Sequence, residues 1–209
     1  MKILEGNTRK AVQAVLITLC LGTLVIPPVV VATSGTATIS ATYTTLRILA
    51  LYAITVLFLN IMTGSFRPLL AKAFKAKALF RFHNITGVAG FCLALTHGIL
   101  VIAYGLWPGF SKLGPVALYI LAATTFTVLM RKFLKKSWRW IHRLNYVVFL
   151  VALIHAFQAG SDLYDGTFLK AVLFVYAALV AAGFVYRLQL LIRQSMKKRA
   201  ASSKEGSKR

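Results

Sequence analysis

Acidic residues are nearly missing from this chain: four Asp and Glu stand against 25 Lys and Arg in 209 residues, a formal net charge of +21. Cysteine is scarcer still. Cys20 and Cys92 each fall inside an apolar run, at no metal-binding spacing from each other or from a histidine, so both read as small core residues. Also lacking is the polar content that a soluble domain of this size needs to cover its core, since 58% of the residues are apolar. Lipid is the expected solvent.

A helix rises about 1.5 Å per residue and the hydrocarbon layer is roughly 30 Å thick, so one crossing takes about 20 apolar residues. Runs of that kind fall near Ala11 to Ala32, Tyr43 to Gly64, Phe80 to Gly105, Pro115 to Phe133, Ile141 to Ala159 and Phe168 to Leu191. The expected fold is an all-α, polytopic membrane bundle of about six transmembrane helices over residues 11–193. A short tail (1–10) precedes it, and a basic tail (194–209), expected to be disordered, follows. No separate soluble domain is expected. The first run exceeds the usual apolar core of a signal peptide and is kept as a helix, kinked near its outer end by Pro27 and Pro28. The uncharged connector from Thr33 to Ala41 reads as a loop.

The basic residues are distributed unevenly. Lys2, Arg9 and Lys10 lie in the first tail, five more between Arg67 and Arg81, six between Arg131 and Arg143, and eight from Arg187 to Arg209. Only Arg47, Lys112 and Lys170 fall on the other side, with Asp162 and Asp165. The positive-inside rule then puts both termini in the cytoplasm. Because these charges sit beside membrane spans, they are expected to meet anionic headgroups or an acidic electron donor, and no nucleic-acid partner is expected.

All four histidines, His83, His97, His142 and His155, fall in the third and fifth runs. Ionisable side chains inside a bilayer are costly and mark function by default. His83 and His97 are 14 residues apart, and His142 and His155 are 13 apart, so each helix separates its pair by about 20 Å. Both helices run in the same direction. Side by side, they present two facing pairs at two depths: His83 with His142 near the cytoplasm, and His97 with His155 near the outer face.

Zinc requires about four ligands, and neither thiol nor carboxylate accompanies either pair. A haem iron needs only two axial imidazoles, because the porphyrin supplies the rest. Two b-type haems, each with both axial positions filled, are therefore expected, and electron transfer rather than gas binding at iron. On the third helix, His83, Gly87, Gly90, Ala94 and His97 form one stripe whose small residues either leave room for flat ligands or permit close helix packing. Arg81, Arg139 and Arg143 are candidate contacts for the inner haem's propionates, and Arg47 for the outer haem's. Phe149, midway between His142 and His155, is a candidate for packing between the haems, with ordinary core packing as its alternative. A 13-residue step falls about 140° short of four whole turns of an ideal helix. A π-bulge or a tilt is expected to absorb the difference on the fifth helix.

The segment Trp138-Arg139-Trp140-Ile141-His142-Arg143-Leu144-Asn145-Tyr146, followed by Leu153-Ile154-His155, resembles the fifth helix of the ferric reductase-like transmembrane family. Residues Arg81 to Gly98, including Leu95-Thr96-His97, resemble the third. That family includes ferric reductases, NADPH oxidases and the membrane cytochrome of the bacterial methionine-sulfoxide reductase system. The resemblance runs from roughly Tyr43 to Arg193. It implies electron flow from cytosolic flavin through an inner and then an outer haem to an external acceptor.

Flavin and nicotinamide domains like those of the longer members are not expected in this short form. The electrons would come from a separate flavoprotein, from bound FMN or FAD, or from a quinol. The acceptor would be ferric iron or a partner reductase at the outer face, and the expected location is a bacterial inner membrane. An oxidoreductase component is the expectation. Its rivals are a haem-containing anchor subunit of a periplasmic reductase and a transporter or scaffold with structural or metal-binding histidines.

Overall fold

The apolar runs fold as helices, and the computed structural model contains no strand among the residues it describes, 6–33, 40–106, 111–165 and 167–206. The connector residues 34–39, and residues 1–5 and 207–209 of the expected tails, lie outside that set. In chain order the helices are α1 (Gly6–Thr33), α2 (Ala41–Ser65), α3 (Arg67–Leu70), α4 (Ala76–Ala103) and α5 (Leu113–Leu129). They continue with α6 (Arg131–Leu134), α7 (Trp138–His142), α8 (Asn145–Ala159), α9 (Asp162–Asp165) and α10 (Thr167–Gly206). Among the described residues five stretches are long and apolar enough to cross a membrane: Gly6–Thr33, Ala41–Ser65, Ala76–Ala103, Trp138–Ala159 and Phe168–Lys197. The fourth expected run gives the shorter α5, 17 residues, or about 26 Å at 1.5 Å per residue.

α2 is the axle of the bundle. Every residue from Ala53 to Ile61 is buried, because the helix packs against α1, α4, α8 and α10 at once. A helix apolar on all sides suits only such a central place. The outer helices instead leave long apolar side chains uncovered, among them Val15, Leu19 and Leu21 on α1 and Ile85, Val88 and Ile99 on α4. These faces suit a hydrocarbon solvent. At one end, Arg9 Nε and Gln13 Nε2 of α1 both donate to the Ala73 carbonyl, at 2.8 and 2.6 Å, tying α1 to the turn after α3.

The most extensive helix contact is between α2 and α4, and glycine makes it close. A methyl group on Gly87 would stand 3.1 Å from Asn60 Nδ2, and one on Gly90 3.1 Å from Leu57 Cδ2. The small-residue stripe of α4 therefore serves helix packing at Gly87 and Gly90, not space for flat ligands. With no Cβ in the way, the two backbones approach.

The core divides in two. One cluster joins Val30, Ile54, Phe58, Phe149, Leu153, Leu173 and Tyr176 across α1, α2, α8 and α10, with the Phe58 and Tyr176 rings stacked at 4.0 Å. The other joins Leu57, Leu121 and Val148, with Phe91 and Ala94 against them, across α2, α4, α5 and α8.

The expected fifth helix is broken. α7 ends at His142 and α8 begins at Asn145. Around the break Arg143, Leu144 and Tyr146 donate to carbonyls three residues back, at 3.2, 2.9 and 3.3 Å. This is 3₁₀ winding, not the expected π-bulge, and each residue wound at three per turn adds about 20° of rotation. The extra winding is in the direction that brings His155 back toward the face of His142.

α10 also differs from expectation. It continues through most of residues 194–209 as far as Gly206, over a stretch rich in the helix-forming residues Arg, Lys and Ala.

Candidate functional site

α4 and the α7–α8 pair carry the four histidines, and their side-chain partners come from α2, α8 and Ser111 just before α5. On α4, His83 and His97 each turn Nδ1 onto a main-chain carbonyl of α2. His83 reaches Asn60 O at 3.1 Å and His97 reaches Leu46 O at 3.1 Å. A carbonyl only accepts, so in both rings Nδ1 carries the proton and Nε2 is left with its lone pair. The two acceptors are 14 residues apart on α2, as the two histidines are on α4. The antiparallel packing of these helices thus repeats one contact at two depths.

At the first depth the His83 and His142 rings stand edge to face, with centroids 5.9 Å apart and planes at 82°. Two imidazoles sharing one metal at about 2 Å per bond have their ring centres roughly 6 Å apart, close to the separation found here. Gly64 on α2 lies beside His83, where a methyl group would stand 3.2 Å from Cε1. Asn60 is a buried amide inside an apolar helix, and its Nδ2 donates to His83 O at 2.5 Å and to Thr86 Oγ at 3.1 Å. On the other side, the Asn145 amide lies between His142 Nδ1, at 3.4 Å, and Thr124 Oγ, at 2.7 Å. Trp138 flanks His142 at 5.8 Å between ring centres.

At the second depth His97 and His155 lie close enough for their charges to interact, and no direct ring contact joins them among the described residues. His155 Nδ1 is 2.7 Å from the hydroxyl of Ser111, a side chain only 1% exposed just before α5. Its ring lies over Gly114, where a methyl group would stand 2.9 Å from Cε1. Elsewhere, among the described residues, no three His, Cys, Asp or Glu side chains come together in a way that could hold a metal ion. The donor sets here are pairs, which suits a metal that arrives with its own equatorial ligands.

No protein-family model, curated protein or solved structure matched the chain. The site must be read from its own chemistry.

The predicted basic contacts fare differently. Arg143 is half-buried with its guanidinium 4.2 Å from the Trp140 ring centre, while Arg139 is exposed and lies 5.9 Å from the Trp138 ring. Arg81 is exposed on α4, two residues before His83. Arg67, which the sequence reading passed over, lies near enough to His83 for its charge to reach the ring. Arg47, expected near the outer haem's propionates, has a protein partner. It forms a two-pronged ion pair with Asp162, one bond Nε to Oδ2 at 2.9 Å, with both side chains 6% exposed. Its neighbour Leu46 supplies the carbonyl for His97, so the pair fixes α2 beside the second depth.

Phe149 belongs to the α1–α2–α8–α10 core, a cluster that includes no residue of α4. Between the two depths stand Leu57, Leu121 and Val148. Asn60, Thr86, Thr124, Asn145 and Ser111 were also passed over. The available signal was a polar side chain inside an apolar run, which for Asn60 and Asn145 is as informative as it is for histidine.

Proposed function

We propose that this chain is a six-span membrane cytochrome b, similar to the ferric reductase-like family. In this reading it carries electrons across a bacterial inner membrane through two bis-histidine haems, His83/His142 inside and His97/His155 outside. The observation that carries the reading is the 5.9 Å opposition of His83 and His142, presented by helices from different parts of the chain. α5 supplies the sixth crossing, and both basic termini lie in the cytoplasm.

Each haem, when bound, accepts and passes on one electron. The chain's own work is positioning. Asn60 O and Leu46 O fix the rings of α4 with Nε2 outward, Asn145 and Ser111 engage Nδ1 of the opposite rings, and apolar side chains keep water from the path. Arg67, Arg81, Arg139 and Arg143 supply positive charge at the cytoplasmic edge, where a flavoprotein, bound flavin or quinol would deliver electrons. The acceptor at the outer face is ferric iron or a partner reductase.

The test is the ratio of haem to protein in the purified chain, with the reduced visible spectrum. Two haems per chain and sharp b-type bands are expected, and His97→Ala or His155→Ala should remove the outer haem preferentially. A folded preparation that stays colourless after haem supplementation would overturn the proposal. One observation favours a second reading, in which the histidines only hold helices together: each already has a hydrogen-bonding partner on the protein. The same assay separates the two.

A further inference from the structure

The uncovered apolar side of α5 continues past the end of the helix. Phe126, Leu129, Met130 and Phe133 follow at helical spacing, and all four are exposed, Phe133 by 85%. Met130 donates to Phe126 O, and Phe133 and Leu134 both donate to Met130 O, each at 3.0 Å, so the winding carries over from α5 into α6. α5 has 17 residues, which leaves it about 4 Å short of a hydrocarbon layer roughly 30 Å thick. Phe133 comes a turn later, about 6 Å further along. That is the level at which headgroups begin.

Charge of one sign surrounds the ring. Arg131, Lys132, Lys135 and Lys136 are exposed, and among the described residues none of them has a carboxylate partner. The sequence has no Asp or Glu between Glu5 and Asp162. Lys135, at φ 47, turns the chain between α6 and α7. α7 then presents Trp140, 71% exposed, with the Arg143 guanidinium 4.2 Å from its ring centre. Aromatic rings beside cations, at the end of an apolar helix, are the composition of a membrane border.

The counter-charge therefore comes from outside the chain, and its carrier must also cover Phe133 and Trp140. An acidic soluble protein offers the charge, but the apolar stripe runs on along α5 into the bilayer, where no soluble surface can follow. A phospholipid with an anionic headgroup offers both, phosphate above and acyl chain below. We propose that the α6–α7 segment is a binding site for anionic phospholipid, with Arg131, Lys132, Lys135 and Lys136 at the headgroups and Phe133 and Trp140 seated at the top of the acyl chains. The proposal rests on α5 as a membrane crossing, which belongs to the reading above, and not on haem.

The test uses the full chain in nanodiscs that hold either a photoactivatable phosphatidylglycerol or its phosphatidylcholine counterpart at equal mole fraction, and peptide mapping locates the label. Label over residues 129–144 is expected to be several-fold higher from phosphatidylglycerol. The excess should shrink in salt of about 1 M, where surface charge reaches only about 3 Å. A surface cation favours an anionic membrane by about fivefold, so the triple variant Lys132→Gln, Lys135→Gln, Lys136→Gln should bring the two lipids close to parity. Lys197→Gln with Arg199→Gln, exposed cations of α10, should leave the excess over 129–144 in place. Phe133→Ser should reduce the label from both lipids alike. Equal labelling of the unaltered chain by the two lipids, or an excess that survives the triple substitution, would overturn the proposal. A segment labelled by neither lipid stands in water and leaves an acidic protein as its partner, which overturns it as well. Haem content of the same nanodiscs is read separately: a colourless chain that keeps the phosphatidylglycerol excess removes the function proposed above and retains this site.

Discussion

Asn60 and His83 hold each other twice. The Asn60 carbonyl accepts from the His83 ring at 3.1 Å, while the Asn60 amide donates to the His83 carbonyl at 2.5 Å. One residue of α2 thereby sets both the position of the α4 backbone and the rotation of the ring it carries. Asn60→Leu keeps the ring's main-chain acceptor but removes the second tie and leaves a close-packed branched side chain against Gly87. We expect a loss of about 1–2 kcal/mol in stability. Inner haem content should fall while the outer haem's spectrum is retained. Thermal unfolding in detergent, read beside haem content, checks both, and an inner haem lost no more readily than the outer would contradict the assignment.

Gly114 is the corresponding close contact at the second depth. A methyl group there would be 2.9 Å from His155 Cε1 and 3.0 Å from Nε2, inside any normal carbon contact. The ring must then move, and it cannot do so without stretching its 2.7 Å bond to Ser111. Gly114→Ala should therefore reduce outer haem content with the inner haem left in place. Ser111→Ala should do the same more mildly, because the ring loses a partner but not its space. Equal losses at both depths would contradict the layered arrangement.

The histidine spacing and the apolar helical runs were legible because both are periodic along one chain: 14 and 13 residues between histidines, about 20 per apolar run. What was hidden depends on which helices touch. The stripe from His83 to His97 looked like room for ligands, yet Gly87 and Gly90 meet Asn60 and Leu57, a contact that no pattern within α4 reveals. The break after His142 was legible only as a rotational misfit, and the fold resolves it by overwinding where a bulge was expected. Arg47 and Asp162 are 115 residues apart, so an arginine that looked available to a propionate is matched by a carboxylate from far along the chain.

That ion pair has a measurable consequence. Taking away either partner leaves a charge among side chains that are 6% exposed, which typically costs about 3–5 kcal/mol. Arg47→Met and Asp162→Leu should each destabilise the chain by roughly that much, and combining them should recover most of the loss. Thermal unfolding of the four proteins measures the coupling. Losses that simply add would show that the two charges are not each other's main partners.

Phe149 separates packing from electron transfer. Its ring is 1% exposed and lies in one cluster with Phe58, Leu173 and Tyr176, to which α4 contributes no residue. Phe149→Ala should therefore open a cavity in that cluster and cost about 3 kcal/mol, lowering the melting temperature by roughly 6–12 °C. Haem content, both spectra and the inter-haem rate should be unchanged, because the ring belongs to the core cluster that includes no residue of α4. Leu121→Ala makes the opposite substitution, in the cluster that Leu57 and Val148 complete between the two histidine levels. It should change the rate from inner to outer haem while both sites remain loaded. Stopped-flow or flash reduction that resolves the two haems supplies the comparison. An inter-haem rate that falls in Phe149→Ala and holds in Leu121→Ala would move the path to the other face of α8.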